Sequence, residues 1–364
     1  MDGRPHAVIA GGGPAGAVAA LVLARRGIAV TVLESRATPE RKVGECLPPS
    51  LSPLLRHLGL ADLLGADGHL RSLGNRFVWG SPQTGERPFL TGTRGDGWHV
   101  DRQVFEARLA ERARAAGARW RWGCRLTRCE RSGGRFQLRI ENGSASEALD
   151  ADFVADATGR RAHVARRLGA RRLRYDRLVG AAALLRSPTP DADTYTLVEA
   201  VPDGWWYSAL LGDGRLAVAF MTDGDLLKPN DWHQKLTRTR ETRARVEDHG
   251  YTLEEAPRVL PAETSRLDAI AGDGWLAIGD AAAAYDPLSS HGIGSAMGSG
   301  FYAGHAIADL LAGRPEAGPA YLEVMQSAYG GYLDLQREHY AAERRWPDAP
   351  FWRRRQEAYG LETV

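Results

Sequence analysis

Lysine is almost missing from this chain. Of 47 basic residues only Lys42, Lys228 and Lys235 are lysine, and the stretch 46–100 contains none. A dominant charge is also lacking: 47 basic residues against 45 acidic ones leave a formal net charge of +2, which argues against bulk electrostatic binding of nucleic acid. Three cysteines, Cys46, Cys124 and Cys129, are too few and too irregularly spaced for a disulfide framework or a zinc site. No metal is therefore expected, and a reducing cytoplasm is the expected compartment. No apolar run approaches the roughly 18 residues of a membrane span, and the N-terminus enters a strand-like segment with no room for a signal peptide. Internal repeats and low-complexity linkers are absent. At 364 residues the chain has the length for two domains, or for one with a large insertion.

What is present begins at once. Ala7, Val8, Ile9 and Ala10 lead into Gly11-Gly12-Gly13-Pro14-Ala15-Gly16, a Gly-x-Gly-x-x-Gly fingerprint. An Ala- and Leu-rich helical segment (17–26) follows, then a second β-like run (29–33) that ends in Glu34. Strand, Gly-rich turn, helix and second strand make a βαβ unit for a dinucleotide. Gly11 permits the tight turn, Gly13 admits a pyrophosphate, and Gly16 lets helix and strand pack closely. The helix N-terminus offers free N–H groups to the phosphates. Glu34 stands where a carboxylate accepts from a ribose 2′-hydroxyl, which favours FAD or NAD over NADP.

Further along, a polar turn (35–42) precedes Val43-Gly44-Glu45 and Pro48, and a helix is expected over 50–58. Asp101 reads as the N-cap of a helix over 102–116, stopped by Gly117. Strands over 119–131 and 135–140 flank Ser132-Gly133-Gly134 as a hairpin. A buried-type strand (151–156) ends in Asp156-Ala157-Thr158-Gly159. From about residue 176 four short strands (178–185, 195–201, 205–211 and 215–221) alternate with turns, as in an antiparallel sheet. One amphipathic helix is expected over 231–249. The first texture returns at Trp275 to Asp280, followed by Asp286-Pro287-Leu288-Ser289-Ser290-His291-Gly292 and a helix over 295–311. The remainder reads as helical.

Three motifs in this order, Gly-x-Gly-x-x-Gly at 11–16, Asp156-Ala157-Thr158-Gly159, and Gly279-Asp280-Ala281-Ala282 with Asp286-Pro287, make the chain resemble the FAD-dependent monooxygenase superfamily of the para-hydroxybenzoate hydroxylase type. The likeness covers most of the chain and is weakest over 60–100 and 320–364. Val43-Gly44-Glu45 and the segment 286–292 are similar to the flavin-dependent tryptophan halogenase branch and its non-halogenating relatives. These include flavoproteins that act on peptidyl tryptophan during quinone cofactor biogenesis, and geranylgeranyl-reductase-like enzymes. The resemblance implies FAD contacts at Gly11, Gly13, Pro14, Ala15, Gly16, Glu34, Ser35, Arg36, Arg41, Arg102, Thr158, Gly159, Asp280, Pro287, Gly292, Ile293 and Gly294. Asp280 would meet the ribityl chain, Arg102 the ribityl or phosphate region, and the backbone at Gly292 to Gly294 the isoalloxazine.

Departures matter as much. Halogenases of the branch pass hypohalous acid to a Lys after the Gly-Glu motif, where this chain has none. They place a Glu after Asp-Pro-Leu, where this chain has Ser289. Their Trp-x-Trp-x-Ile-Pro motif has only a partial echo at Trp205-Trp206-Tyr207. Halogenation is therefore disfavoured.

Individual residues keep two readings each. His291 is either a proton carrier beside the flavin or a hydrogen-bonded loop residue. Glu45 is an acid/base or a brace. Trp205 and Tyr207 share one strand face, which lines an aromatic substrate pocket or belongs to the sheet core. Cys46 is redox-active or inert, Asp280 a cofactor contact or a helix cap, and Arg102 an anion partner or an ordinary helix residue. The Arg- and Trp-rich tail docks a partner or forms a helix over the flavin domain with a solvated basic face.

The expectation is an α/β protein with a Rossmann-like FAD-binding domain (1–70, 100–175 and 258–320), an inserted antiparallel β-sheet substrate domain (71–99 and 176–257) and C-terminal helices (321–364). Its expected activity is that of an FAD-dependent monooxygenase, hydroxylating a free or peptide-borne aromatic or indole-type substrate through a flavin C4a-hydroperoxide. No second Gly-x-Gly-x-x-Gly follows a strand, so electrons would come from transient NAD(P)H binding or a separate flavin reductase. The alternatives are a reductase or dehydrogenase, a halogenase, or a non-catalytic flavoprotein that partners a substrate protein in maturation.

Overall fold

The computed structural model describes residues 4–65, 68–228, 231–357 and 362–363. Its first half is organised by a six-stranded sheet in the order Ala271–Gly272, Trp275–Ala277, Phe153–Asp156, His6–Ala10 (β1), Ala29–Glu34 (β2) and Arg119–Trp122. All neighbours run parallel except the Ala271–Gly272 edge. The central strands are buried on both faces, which explains their nearly unbroken apolar sequences. On one face lie Pro14–Arg25 (α1) and the helix Gly292–Leu311, joined with Phe105 and Leu109 in the largest core cluster. A three-stranded sheet covers the other face with Phe136, Leu138 and Ile140.

An eight-stranded sheet forms the second half. Its spine is Leu178–Arg186, Arg215–Asp223, Gly204–Leu210 and Thr196–Val201, all antiparallel. Trp205 faces one side and Trp206 the other, so each anchors a separate core. The first is closed by the long helix Ala317–Ala342 and the terminal helix Pro350–Gln356, the second by Trp232, Leu236 and Tyr251.

Several expectations are corrected. The segment 119–131 is two strands, because Gly123 at φ +69° lets Arg119–Trp122 join β2 while Cys124–Ser132 turns into the hairpin sheet. A third hairpin strand, Ala145–Ala151, was hidden by its exposed, polar sequence. The inserted sheet is not wholly antiparallel, since Thr196–Val201 pairs in parallel with Gly74–Val78. Arg258–Pro261, expected in the cofactor domain, pairs with Leu178–Arg186 of this sheet. The helix expected over 231–249 is two, Trp232–Leu236 and Glu241–Asp248. It breaks because buried Glu199 accepts from the N–H groups of Arg240 and Thr242, starting a new helix there. The helix expected over 295–311 begins at Gly292.

The terminal helix lies on the inserted sheet, not over the cofactor domain. Its basic face is not all solvated, because Arg355 is buried against Asp223 (2.7 Å) and over the Phe351 ring (3.6 Å). Residues 358–361 and 364 of the tail lie outside the described residues. Among the described residues no helix is long and apolar enough to cross a membrane.

Helix Gly292–Leu311 can cross α1 closely because Gly300 has no side chain; a Cβ there would meet the Ala15 carbonyl oxygen at 2.3 Å, whereas one at Gly298 meets nothing within 4 Å. Gly300→Ala is expected to lower unfolding stability by about 1–3 kcal/mol. Gly298→Ala is expected to raise it by up to about 1 kcal/mol through helix propensity. Denaturant titration of both variants checks this pair.

Candidate flavin site

All three motifs converge on the first turn of α1. Gly11 sits at φ +110°, and a Cβ there would meet Ala157 O at 2.2 Å. One at Gly16 would meet Gly11 O at 2.0 Å, and one at Gly279 would meet Ala15 Cβ at 2.8 Å. Around Gly13 there is open space. The chain is thus as tight as it can be on the protein side and open on the side where a pyrophosphate would lie. Gly13 supplies no side-chain cap, Pro14 has no N–H, and no acid stands in the first turn, so the N–H groups of Ala15 and Gly16 remain for a ligand. Helix Gly292–Leu311 also starts uncapped and without an acid, with open space at Gly292 and only Leu51 Cδ1 (3.7 Å) near Gly294. Two free helix N-termini and a glycine cradle fit an extended anionic dinucleotide.

Carboxylates order the loops between. Glu34 closes β2 and accepts from Gly12 N–H (2.8 Å) and Arg36 N–H (2.9 Å), which leaves lone pairs toward the opening. Ser35 is exposed beside it, and the Arg36 side chain turns to Glu40 (2.7 Å). Arg41 turns to Asp213 of the inserted sheet (4.0 Å). Asp156 is fully buried. It accepts from Thr158 N–H and Oγ1–H and from Val164 and Ala165 N–H, so it fixes the turn through Thr158 and Gly159 and caps the following helix. Asp280 lies in the short turn Gly279–Ala281, with its side chain 39% exposed and Arg160 at 3.9 Å. Burial of its surroundings raises its pKa, and Arg160, Arg102 and Arg172 oppose that rise.

Arg102 sits at the start of Arg102–Ala115, just after Asp101, which caps the helix by accepting from Gln103 and Val104 N–H. Its guanidinium bonds Glu106 Oε1 (Nε, 3.1 Å) and Gly44 O (2.9 Å). Lys42 pairs with the same Glu106. Burial alone would raise Glu106, but the two cations overcome it and hold the carboxyl below its ordinary range. Lys42, Gly44 and Arg102 therefore pin the segment 42–47 to the cofactor half.

From the other side that segment is pinned to the inserted sheet. Buried Glu45 accepts from Gly44 N–H (2.8 Å) and from the Tyr207 hydroxyl (2.7 Å). Burial raises Glu45 and drives Tyr207 well above its usual value, so the proton stays on the phenol. Trp205, expected beside Tyr207 as a pocket wall, is fully enclosed among Trp79, Tyr340 and Trp352 and belongs to the core. Pro287 starts the turn before Ser290, which holds φ +53°. His291 is exposed at the head of its helix, and Ile293 is buried in the core, so only its backbone faces the opening.

Sequence reasoning missed several participants. Arg172, 4% exposed, donates to the carbonyls of Arg160, Asp280 and Ala281, stapling the two cofactor loops together; burial, with Arg160 next, lowers it to about 10. Ser299 Oγ accepts from Gly279 N–H (2.7 Å). Neither carries a motif. Behind Glu45, Cys46 Sγ lies 3.8 Å from Thr196 Oγ1, and Thr196 bonds His99 Nε2 at 2.8 Å. Leu210 O can only accept, so His99 carries its proton on Nδ1 (2.8 Å) and its Nε2 accepts from Thr196. Burial pushes the Cys46 thiol up to about 11, which makes it inert at neutral pH. Among the described residues no group of three or more His, Cys, Asp or Glu is placed to hold a metal.

Burial also pushes His99 down to about 4, with Arg245 adding to the shift and the Leu210 carbonyl and Asp193 opposing it. The unfolded chain binds this proton near pH 6.5 and the folded one only near 4, so the His99 contribution is complete above 6.5 and is lost as pH falls toward 4. Between pH 7 and pH 4 the native protein is expected to lose on the order of 3 kcal/mol more stability than His99→Gln. Denaturant midpoints of both proteins across that range check it.

The FAD binding domain family matches residues 5–326. The FAD-dependent oxidoreductase designated LodB, from Marinomonas mediterranea, is 29% identical over 358 residues, spanning 96% of both chains. A tryptophan 2-halogenase from Chondromyces crocatus is 27% identical over 344 residues, 90% of this chain and 65% of that enzyme. Among solved structures, the peptidyl tryptophan dihydroxylase QhpG superposes with a TM-score of 0.80 at 27% identity, over 97% of this chain and 79% of that one. Cradle, loops and likeness agree: the chain belongs to the FAD binding domain family and is an FAD-dependent oxidoreductase of its halogenase and monooxygenase branch.

Proposed function

We propose that this enzyme is a monooxygenase that hydroxylates an aromatic, indole-type substrate, free or carried on a peptide. The observation that carries the reading is where the lysines lie. Lys42 is tied to Glu106, and Lys235 to Asp203 and Asp231 on an outer helix. Lys228 is exposed beyond the end of the inserted sheet. Among the described residues no lysine pairs with Glu45, Tyr207 or Ser290, where an ammonium would have to stand to capture hypohalous acid. QhpG, a peptidyl tryptophan dihydroxylase by name, adds support for a peptide-borne indole.

Bound, reduced FAD supplies the activation of oxygen, and the chain supplies placement and protons. Gly11 to Gly16, Glu34, Thr158 to Gly159 and Asp280 would hold the cofactor along its length. The N–H groups at Gly292 to Gly294 would face the ring and favour its anionic reduced form. Tyr207 stands at the wall between the two halves, with Glu45 holding its hydroxyl. This pair holds a proton at Tyr207 Oη, and exposed His291 stands at the rim as the candidate proton carrier. Reducing equivalents come from NAD(P)H or a separate flavin reductase.

Reduced holoenzyme is mixed with oxygen, bromide, and either free indoles or tryptophan-containing peptides. Mass spectrometry is expected to show products gaining oxygen and no bromine; brominated product, or a substrate that only gains or loses hydrogen, overturns the reading. Glu45→Gln and Tyr207→Phe are each expected to lower the oxygenation rate on the order of 100-fold at unchanged FAD content.

A further inference from the structure

The turn at Asp286 is gripped by the part of helix Ala317–Ala342 that lies beyond the family match, which ends at residue 326. Three side chains of Ala317–Ala342 reach it, spaced four apart and therefore on one face: Tyr332, Gln336 and Tyr340. Asp286 N–H donates to Tyr332 Oη (2.7 Å). Gln336 Nε2 and Tyr340 Oη donate to Asp286 Oδ2 at 3.2 and 2.7 Å. The other oxygen, Oδ1, accepts from Leu288 N–H (2.8 Å) and so shapes the turn itself. Asp286, Tyr332, Gln336 and Tyr340 are all buried. Three buried polar side chains on a helix that had only to pack would be a net cost, and here each is satisfied by one aspartate or its neighbour Thr264.

Tyr340 also faces the inserted sheet: its oxygen accepts from Trp205 Nε1 (3.1 Å). One phenol thus takes a hydrogen bond from the sheet and gives one to the turn that launches Gly292–Leu311. That turn contains Ser290 in the left-handed region, a conformation held only where the surroundings impose it.

We infer that Tyr340, with Gln336, is a positioning residue: through Asp286 it sets where the first turn of Gly292–Leu311 stands against the flavin ring, and so tunes the stability of the reduced cofactor. The inference rests on FAD binding by this family and not on the hydroxylation reading, so the two fail separately.

The test measures the midpoint potential of bound FAD, FAD stoichiometry and denaturant midpoint for the holoenzyme and three variants. Tyr340→Phe keeps the ring and removes the hydroxyl. Gln336→Met keeps the bulk and removes the donor, and it reports on the same grip if Tyr340→Phe fails to fold. Tyr329→Phe is the control, because the Tyr329 hydroxyl is buried on the same helix without a hydrogen-bond partner among the described residues. Tyr340→Phe and Gln336→Met are expected to bind FAD fully while the reduced form loses about tenfold in relative stability, about 30 mV toward negative for a two-electron couple. Tyr329→Phe is expected to leave the potential unchanged. An unmoved potential in Tyr340→Phe and Gln336→Met, with or without lost stability, or an equal shift in Tyr329→Phe, overturns the inference.

Discussion

The crossing at Ala15 is the contact on which the rest depends. Gly279 and Gly300 close on Ala15, Gly16 closes on the Gly11 carbonyl and Gly11 on Ala157, and none of the four has room for a methyl group. Backbone touching backbone at that distance leaves no slack to rearrange, so loops distant in sequence are held in one frame. A cofactor bound across several loops needs such a frame, because each loop supplies only a few contacts. The two uncapped helix starts acquire their shared direction from the same crossing.

Around this rigid centre polar bridges join the halves. Segment 42–47 is tied to the cofactor half by Arg102 and Glu106, and to the inserted sheet by Glu45–Tyr207 and Cys46–Thr196–His99. On the far side Asp286 and Tyr340 make the second bridge. Buried carboxylates are costly unless every oxygen is satisfied. Glu45, Asp156 and Asp286 each accept at least two hydrogen bonds, so their placement is specific. The apparent weak points of the core are thus its best-defined ones.

Much of the cofactor half was legible in the sequence because its signals are local. Gly-x-Gly-x-x-Gly between strand and helix, Asp101 before Arg102–Ala115, and Asp156 or Asp280 at a strand end each declare a turn whose geometry only those residues allow. Expectations failed where local preference met tertiary demand. The break in 231–249 is made by Glu199, far away in sequence, and the pairing of 258–261 by an edge left open in a distant sheet. Trp205 and Tyr207 read alike on one strand face, yet one is enclosed by the C-terminal helices and the other reaches Glu45.

The βαβ fingerprint, the order of the three cofactor motifs, the cap of Arg102–Ala115 and the scarcity of lysine are readable from residue order alone, since each is a property of a short run or of composition. That Lys42 pairs with Glu106, that Arg172 staples two loops, and that Tyr332, Gln336 and Tyr340 close on Asp286 emerges from the folded packing. Those contacts join segments up to 109 residues apart, and burial alone makes an ordinary Arg, Gln or Tyr indispensable there. No local pattern encodes which distant carbonyl or carboxylate a side chain will meet.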